Sequence, residues 1–378
     1  MRIGIDYTAA IRQSAGVGRF VQGLVTALVK LDRENQYTLM YSRPERNSSP
    51  PRFPTESNVT ARSLFLTERL TNILWYKLGI AVPIELIGPV ADLYYFPDFA
   101  LPPVRRGRSV ITVHDLSFLL VPDCADARLR AHLEKVVPMS VRYADFVTAD
   151  SENTRSELTA LLDVEPNRVA VVYGGVDDQF HPVVDEAQLQ SVRTKYGLFS
   201  PFVLYVGTIE PRKNLGRLLR AHIRLRTKYG SRHQLVVAGG LGWLYQDVLR
   251  DIEEIASEHE VIFLGRVPDQ DLPSLYSLAD VFAFPSLYEG FGLPPLEAMA
   301  CGVPVVCSNT SSLPEVVGDA GVLVSPYDVD ALSDALASLL NDPVRRRELA
   351  DRGVVRARRF TWERSARQLL EVWRQLGA

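Results

Sequence analysis

The chain has 378 residues, a length that exceeds a typical single domain and predicts two domains. Hydrophobic residues make up 47% and charged residues 23%, the ordinary composition of a soluble globular protein. The formal net charge of −3 gives no reason to expect nucleic acid as a partner.

The cysteines and the hydropathy pattern bear on where the protein works. Cys124, Cys301 and Cys307 are few, odd in number and unlike metal ligands in their spacing, which fits a reducing compartment and excludes a structural zinc site. Residues 1–6 form a short predicted strand without the apolar core of a signal peptide. No run of about 18 apolar residues is present. We therefore expect a cytoplasmic protein without a membrane span.

In the first half of the chain, short apolar runs that predict strands alternate with segments of helical periodicity. The predicted strands are Ile3–Asp6, Thr38–Tyr41, Leu93–Phe96, Val110–His114, Phe146–Ala149 and Val169–Tyr173. Predicted helices include Gly18–Leu31 and Arg128–Tyr143. The polar, proline-rich stretch Arg43–Ser57 is predicted to be a loop. This alternation is typical of a parallel sheet covered by helices.

The second half repeats the pattern. Its predicted strands are Phe202–Val206, Gln234–Ala238, Val261–Leu264, Val281–Phe284, Val303–Cys307 and Val322–Val324. Its predicted helices include Leu215–Tyr229, Tyr245–Glu258 and Ala331–Leu340. We expect an N-terminal domain over residues 1–180, a linker over residues 181–200 and a C-terminal domain over residues 201–360. The last segment, residues 361–378, carries an apolar helical stripe.

Two candidate ligand contacts lie in the first half. Gly16 and Gly18 open the first long helix, but Val21 stands where the dinucleotide-binding fingerprint has its third glycine, so a dehydrogenase is not favoured. A plain glycine-rich helix start is the alternative. His114 ends a predicted strand, where ligands bind in open α/β sheets. A histidine in a capped strand end is the alternative there.

The run from Gly207 to Asn214 (GTIEPRKN) follows an apolar predicted strand and precedes a predicted helix. Arg212 and Lys213 therefore lie at a strand-to-helix turn, at the sheet edge that binds ligands. A guanidinium can chelate phosphate oxygens and an ammonium adds a compact charge. Cations at a helix start oppose the helix dipole, which makes a merely solvated pair less expected. The pattern indicates a phosphate site.

Glu289 and Glu297 flank a loop rich in glycine and proline that leads into an apolar helix. The N–H groups and the dipole at such a helix start favour an anion, for example a diphosphate. Carboxylates accept hydrogen bonds from hydroxyl groups. The combination therefore indicates a polyol next to a phosphate, although each glutamate alone would be expected to be an ordinary exposed carboxylate.

Taken in order, these motifs resemble the retaining glycosyltransferases of family 4 (glycosyl transferases group 1). The residues that carry the resemblance are Gly16–Phe20, Val113–Phe118, Ser151–Leu158, Val172–Asp177, Gly207–Asn214, Glu289–Glu297 and Ser311–Gly321. They span nearly the whole chain. The resemblance implies an α/β protein of GT-B architecture, in which two Rossmann-like parallel-sheet domains face each other across a cleft. The final segment then crosses back to the first domain, and a plain last helix of the second domain is the alternative.

The resemblance also implies a role for each candidate residue. Arg212 and Lys213 stabilise the departing diphosphate, Glu289 binds hydroxyls of the donor sugar and Glu297 binds the ribose. His114 contacts the donor sugar or the acceptor side. Backbone groups near the diphosphate and the sugar come from Gly16, Gly18, Phe291, Gly292 and Leu293. Adjacent Asp177 and Asp178 do not form the D-x-D pattern of metal-dependent transferases, so neither a metal nor a cofactor is expected.

The expected function is transfer of a hexose from a nucleotide diphosphate sugar to a glycan or lipid-linked acceptor in cell-surface polysaccharide synthesis. Similarity to bacterial mannosyltransferases favours GDP-mannose, and UDP-sugars remain open. A nucleotide-sugar 2-epimerase would need acid and base carboxylates that Glu210 does not obviously supply. A non-catalytic binding protein would be expected to lack Lys213, Glu289 or His114, and all three are present.

The apolar segment Arg69–Leu86, with Trp75, Tyr76 and Lys77, fits two structures. A buried domain helix is favoured. The alternative is a segment that docks on the inner face of a membrane, near a lipid-linked acceptor.

Overall fold

The computed structural model describes residues 1–13, 16–42, 53–67, 70–71, 73–244, 246 and 261–377. The chain divides into two compact units. Unit 1 comprises Met1–Leu116, Ala131–Gly175 and Thr361–Ala378, and unit 2 comprises Ser117–Arg130 and Val176–Phe360. The predicted helix Tyr245–Glu258 lies outside the described residues, apart from residue 246, and so does most of the predicted loop that begins at Arg43.

Unit 1 is built on a seven-stranded sheet in which the neighbouring strands run parallel. The strands are β1 Arg2–Asp6, β2 Gln36–Tyr41, β3 Val59–Ser63, β4 Leu93–Phe96, β5 Arg108–Val113, β6 Phe146–Ala149 and β7 Val169–Val171. Their order across the sheet is β3-β2-β1-β4-β5-β6-β7. Six of them were predicted. β3 was missed because it is a largely exposed strand at the sheet edge with no apolar run.

The helices of unit 1 follow the predicted alternation, with one exception. The described α-helices are Thr8–Arg12, Val17–Leu31, Ile84–Ile87, Ala127–Tyr143 (which begins in unit 2) and Glu152–Leu162. The buried helix favoured for the segment 69–86 is wrong for its described part. A π-helical turn, Ile73–Lys77, and the short helix Ile84–Ile87 stand there instead, separated by Gly79 and Pro83.

The C-terminal helix, Trp362–Gln375, packs in unit 1, although it follows the whole of unit 2 in the chain. The ring of Trp362 lies 5.7 Å from that of Phe20, between ring centroids, and Trp373 lies 5.8 Å from Tyr95. Gly23 makes room for this contact, because a Cβ there would stand 2.2 Å from Trp362 Cε2. The predicted crossing of the final helix is confirmed.

Unit 2 is built on a second parallel sheet, of six strands. The strands are β8 Phe202–Val206, β9 Gln234–Ala238, β10 Val261–Gly265, β11 Val281–Phe284, β12 Val305–Ser308 and β13 Gly321–Val324, in the order β10-β9-β8-β11-β12-β13. β12 begins two residues later than predicted. The Val303 N–H donates to the Ala298 carbonyl of the preceding helix, and Pro304 has no N–H. Neither residue can therefore donate a backbone hydrogen bond to a neighbouring strand.

The described α-helices of unit 2 alternate with its strands along the chain. They are Ser117–Leu120, Glu186–Tyr196, Leu215–Tyr229, Leu272–Leu278, Leu293–Ala300, Leu313–Val317, Val329–Leu340 and Pro343–Ala357. Within residues 181–200, the helix Glu186–Tyr196 packs against Leu272–Leu278, and the Val183 N–H donates to Ser277 Oγ over 3.0 Å. The indole of Trp243 donates to the Cys124 carbonyl over 2.7 Å, which ties the segment 117–130 to this unit.

Candidate active site

The turn after β8 is held in place by its own backbone and by Asn214. A 3₁₀ turn, Pro211–Lys213, leads into Asn214, which adopts a left-handed conformation with φ of 59°. The Asn214 side-chain amide donates to the carbonyls of Pro285 and Pro326, both over 2.8 Å. The chain after β11 is tied to the same turn by the Leu287 N–H, which donates to the Arg212 carbonyl over 2.8 Å. Two adjacent strand ends therefore form one rigid surface.

Four charged side chains meet on this surface: Glu210 and Glu289 are buried, and Arg212 and Lys213 are nearly so. Lys213 Nζ lies 2.6 Å from Glu289 Oε1, and Arg212 Nη1 lies 3.1 Å from Glu289 Oε2. The other arm of Arg212 lies 2.8 Å from Glu210 Oε1. The four side chains are between 2% and 14% exposed. The two cations and two carboxylates of this network cancel in formal charge, and Arg212 Nη1 also donates to the Tyr288 carbonyl over 2.8 Å.

The network fixes the charge of Glu289. Burial by itself would raise the pKa of the Glu289 carboxyl, but the charges of Lys213 and Arg212 outweigh it and lower that pKa to about 2. Glu289 is therefore a carboxylate throughout the physiological range, able to accept hydrogen bonds but not to donate a proton.

The glycine-rich loop after Glu289 is shaped by one glycine and two serines. Gly292 has φ of 112°, and a Cβ there would stand 2.8 Å from Leu313 Cδ2. The Glu289 N–H donates to Ser311 Oγ over 2.9 Å. The Ser312 hydroxyl contacts the carbonyls of Glu289 and Phe291 at 2.9 and 2.7 Å. Ser311 begins one of the stretches that carry the family resemblance, but the contacts of both serines with the loop could not be predicted, because only the fold brings them beneath it.

Glu297 lies on the helix Leu293–Ala300 that this loop begins. Its side chain is buried, and its Oε2 accepts a hydrogen bond of 3.0 Å from the Tyr276 hydroxyl. Phe291 is buried as well, with its ring 5.6 Å from that of Phe360. Leu293 is half-buried at the first helical position. The Glu297 carboxylate thus contacts a side chain of the protein, and ribose binding by Glu297 stays a prediction.

His114 follows β5 in unit 1 and is clamped on both ring nitrogens. Nδ1 lies 2.7 Å from Asp150 Oδ2, and Nε2 lies 2.8 Å from the Pro97 carbonyl oxygen. Two aromatic rings also pack edge-on with the imidazole, those of Phe20 at 5.0 Å and Phe99 at 5.3 Å between centroids. The side chain is 7% exposed.

These contacts favour the protonated form of the pair His114 and Asp150. Burial by itself would lower the pKa of the His114 imidazole, but the Asp150 carboxylate raises it to about 9. Burial also raises the pKa of the Asp150 carboxyl. The Pro97 oxygen can only accept, so Nε2 carries a hydrogen, and a second proton lies along the bond between Nδ1 and Oδ2. Asp150 was not among the predicted site residues. Its position directly after β6, at the sheet edge where ligands bind, is the feature of the sequence that could have indicated it.

Gly16 and Gly18 stand at the start of the helix Val17–Leu31. Gly16 has φ of 53° and ψ of −117°, a conformation that favours glycine. A Cβ on Gly18 would stand 1.9 Å from the Gln13 carbonyl oxygen. The glycine at position 18 is thus required by the backbone of the chain itself, whatever ligand it binds.

The predicted site residues fall into two groups. Arg212, Lys213, Glu289 and the loop up to Leu293 come together in unit 2, with Glu297 one helical turn further on. In unit 1, the Phe20 ring on the helix that Gly16 caps contacts His114. Among the described residues, no three His, Cys, Asp or Glu side chains come together in a way that could hold a metal ion.

Two family models together match most of the chain. One, described as glycosyl transferases group 1, matches residues 193–356, and the other, glycosyltransferase family 4, matches residues 14–180. O-antigen chain mannosyltransferase B of Escherichia coli is 39% identical over 285 residues, which are 75% of this chain and 74% of that protein. The serotype-specific mannosyltransferase WbdA of Escherichia coli is 35% identical over 236 residues, which are 62% of this chain but only 29% of that protein.

Solved structures share the fold at low sequence identity. Sucrose-phosphate synthase from Thermosynechococcus elongatus superimposes with a TM-score of 0.78 at 22% identity, covering 100% of this chain and 99% of that one. Anabaena HepE, solved with UDP and glucose, gives 0.73 at 19% identity and covers 99% and 100%. WaaG, a glycosyltransferase of lipopolysaccharide biosynthesis, gives 0.74 at 15% identity and covers 98% and 99%. The predicted GT-B fold of two Rossmann-like parallel-sheet domains is confirmed.

Proposed function

Because this chain belongs to the family-4 glycosyltransferases and is a glycosyltransferase of GT-B fold, we propose that it transfers mannose from GDP-mannose to a glycan hydroxyl, with retention of the α configuration. The acceptor is the end of a glycan, free or lipid-linked, in cell-surface polysaccharide synthesis. Likeness to mannosyltransferases of O-antigen assembly supports both the sugar and the pathway.

The network of Arg212, Lys213 and Glu289 is the observation that carries the proposal. Glycosyl transfer leaves negative charge on the departing diphosphate, and fixed cations in a site largely shielded from water stabilise it. A diphosphate that binds to Arg212 and Lys213 replaces part of the negative charge with which Glu289 compensates these two cations. Carboxylate oxygens of Glu289 then become available for hydroxyls of the donor sugar.

We propose that this chemistry needs no metal ion or other cofactor. The two positive charges of Arg212 and Lys213, with N–H groups of the loop that begins the helix Leu293–Ala300, supply the compensation that Mg²⁺ provides in other transferases. Glu210 and Glu289 hold these charges in place, so they are already oriented when the donor arrives.

We further propose that the protein works in the cytoplasm and touches the surface of a membrane. No helix among the described residues is long and apolar enough to span a bilayer. The described part of unit 1 between residues 65 and 90 exposes large apolar side chains, including Phe65 at 70% and Leu86 at 71%. The Phe65 N–H donates to the Ile87 carbonyl, which brings these two stretches together.

Positive charge lies beside this apolar surface. The N–H groups of Arg105 and Arg106, both exposed, donate to Glu85 Oε1 over 2.9 and 2.7 Å, so their stretch is adjacent to Leu86. Apolar side chains next to arginine favour the interface of an anionic bilayer. Flotation with anionic vesicles is expected to recover the wild-type chain and to lose Leu86→Glu, whereas neutral vesicles should recover much less of either.

A donor panel tests the proposed reaction. The purified chain is incubated with α-mannobiose and GDP-mannose, GDP-glucose, UDP-glucose or UDP-galactose, and nucleotide release is measured with and without EDTA. GDP-mannose should be turned over fastest, EDTA should leave the rate unchanged, and proton NMR should show a new α linkage. Turnover with UDP-sugars alone would overturn the donor, and a β product would overturn retention. UDP-sugars are included because HepE was solved with UDP-glucose.

A further inference from the structure

Ser286 lies where the chain that leaves β11 meets the turn that carries the two cations of unit 2. It follows Pro285, whose carbonyl accepts a hydrogen bond of 2.8 Å from the Asn214 side-chain amide. It precedes Leu287, whose N–H donates to the Arg212 carbonyl over 2.8 Å. Both chain neighbours of Ser286 are therefore bonded to that turn, which fixes the serine beside it.

The Ser286 side chain is fully buried, and its hydroxyl makes no hydrogen bond to any residue that the structure describes. Burial raises the pKa of the Glu289 carboxyl, Lys213 and Arg212 lower it, and Ser286 adds a smaller lowering. The hydroxyl is thus close to the carboxylate but outside hydrogen-bond geometry. A buried hydroxyl without a protein partner lowers the stability of a fold, so its presence calls for a role in the reaction.

The backbone of Glu289 is held more firmly than its side chain. Its N–H donates to Ser311 Oγ over 2.9 Å, and its carbonyl accepts from the Ser312 hydroxyl over 2.9 Å. The carboxylate can therefore change its partners by rotation of the side chain while the main chain stays in place. The Ser286 hydroxyl lies near enough for such a rotation to complete a hydrogen bond.

A diphosphate competes with Glu289 for the two cations. Its charge exceeds that of one carboxylate, so it draws the N–H groups of Arg212 and Lys213 towards itself. Lys213 stays in position, because its Nζ also lies over the Phe284 ring, 5.1 Å from the centroid. A buried carboxylate that loses such partners takes up a proton unless another donor replaces them. The Ser286 hydroxyl is a donor of this kind.

We propose that Ser286 is a positioning residue for Glu289: when a diphosphate binds to Arg212 and Lys213, the Ser286 hydroxyl donates to the Glu289 carboxylate. This hydrogen bond keeps Glu289 ionised and leaves its other oxygen for a hydroxyl of the donor sugar. Ser286 is too deeply buried to touch the donor itself. The inference rests on the proposed function, because it assumes that a diphosphate occupies the two cations.

The other titratable groups near Glu289 do not change charge between pH 6 and pH 8 or are common to all the variants compared. Tyr205 and Cys307 face Glu289, and burial raises the pKa of both side chains well above this range. Glu210 bonds the other arm of Arg212 and is present in every variant. A difference in pH profile between variants at position 286 therefore reports on Glu289.

Kinetics of the full chain with GDP-mannose and α-mannobiose test this role. Ser286→Ala should lower kcat about tenfold at pH 7, the effect of losing one hydrogen bond to a charged group. The loss should deepen from pH 8 to pH 6, because a Glu289 carboxylate without this hydrogen bond takes up a proton more easily. Wild-type kinetics in the variant, or a loss that is equal at every pH, would overturn the proposal.

Ser333→Ala is the matched control. Ser333 is also fully buried, its hydroxyl has no hydrogen-bond partner within the described part of the chain, and it stands on the helix Val329–Leu340. This variant should keep the wild-type kcat and pH profile. A loss equal to that of Ser286→Ala would assign both effects to packing and would overturn the proposal.

Calorimetric titration with GDP keeps the two proposals distinguishable. At pH 6, binding in two buffers of different ionisation enthalpy gives the number of protons taken up. Ser286→Ala should take up more protons than wild type, and Ser333→Ala the same number. If the chain binds GDP in this way but turns over no sugar donor, the proposed function fails and the role of Ser286 stands. Equal proton uptake by Ser286→Ala and wild type, or no binding of GDP, would overturn that role.

Discussion

If the charged network of unit 2 is the catalytic site, as proposed, activity depends on single side chains. Lys213 is almost buried and faces Glu289 at 2.6 Å, so its charge is fixed where a diphosphate is expected. Lys213→Ala should lower kcat about a hundredfold or more, because charge that develops in the transition state loses its partner. Lys228→Ala, which removes an exposed lysine of the same unit, is the control and should keep full activity. If the Lys213 variant kept wild-type turnover, Lys213 would have no role in catalysis.

Glu289 makes a second prediction, which concerns pH. Its pKa is lowered to about 2 in the folded protein, so its charge stabilises the fold above its ordinary pKa of 4.5. That stabilisation is lost as pH falls through the folded pKa. Glu289→Gln should therefore be less stable than wild type at pH 7, with a difference that shrinks between pH 4.5 and 2 in denaturant unfolding. Its turnover should fall more than its nucleotide affinity, and a calorimetric titration with GDP checks this.

The pair of His114 and Asp150 makes a third prediction. The raised pKa of about 9 means that the pair stabilises the fold below the ordinary histidine value of 6.5 and loses this effect as pH rises through 9. In Asp150→Asn that decline should be absent, and the activity lost should be larger at pH 8 than at pH 6. Asp98 and Asp115 also face this region and stay unchanged. A variant with the wild-type pH profile would show that Asp150 does not position the histidine proton.

Residue spacing in the sequence predicted which charged residues of unit 2 come together, but not the residues that hold the site in place. Arg212, Lys213 and Glu289 could be identified because a purely structural role does not readily explain cations at a strand-to-helix turn or carboxylates beside a glycine-rich loop. Asp150 and Ser312 could not, since their roles depend on strands and loops that meet only in the fold.

At the scale of elements, Gly18 is the sharpest test of local geometry. A Cβ on Gly18 would stand 1.9 Å from a backbone oxygen, which no side-chain movement can relieve. Gly18→Ala should therefore lower the melting temperature markedly, whereas Gly240→Ala, where the space is open, should change it little. Differential scanning calorimetry of both variants measures this. Equal melting temperatures would mean that the start of this helix is more pliable than its geometry indicates.

Sequence patterns predicted the buried strands better than the boundaries. β4, β8 and β11 are continuous apolar runs, and β6 and β9 are apolar except for Thr148 and Gln234; all five match the predicted limits. β3 is polar and at an edge, so periodicity gave no signal. The apolar segment that ends at Leu86 was misassigned because hydrophobic composition alone does not separate a buried helix from an exposed surface.

For the whole molecule, the C-terminal helix decides whether unit 1 is complete. Trp373 is buried against the core, and Trp362 fills the space left by Gly23. A chain that ends at Phe360 should lose the cooperative unfolding of unit 1 but keep that of unit 2. Calorimetric titration should still show GDP binding within about threefold of wild type, since Arg212 and Lys213 lie in unit 2. Loss of both transitions would mean that unit 2 depends on the helix too.

The place of this helix also sets an order of events on the ribosome. Proteins usually fold their N-terminal domain first, as it emerges. Here the helix Trp362–Gln375 is synthesised only after all of unit 2, so unit 1 waits for it with the apolar face of Phe20 and its neighbours uncovered. Unit 2, which starts later, can finish earlier. Nascent chains stalled before residue 361 should therefore bind chaperones through the N-terminal segment of unit 1. This binding should end once the C-terminal helix has been synthesised and has left the ribosome.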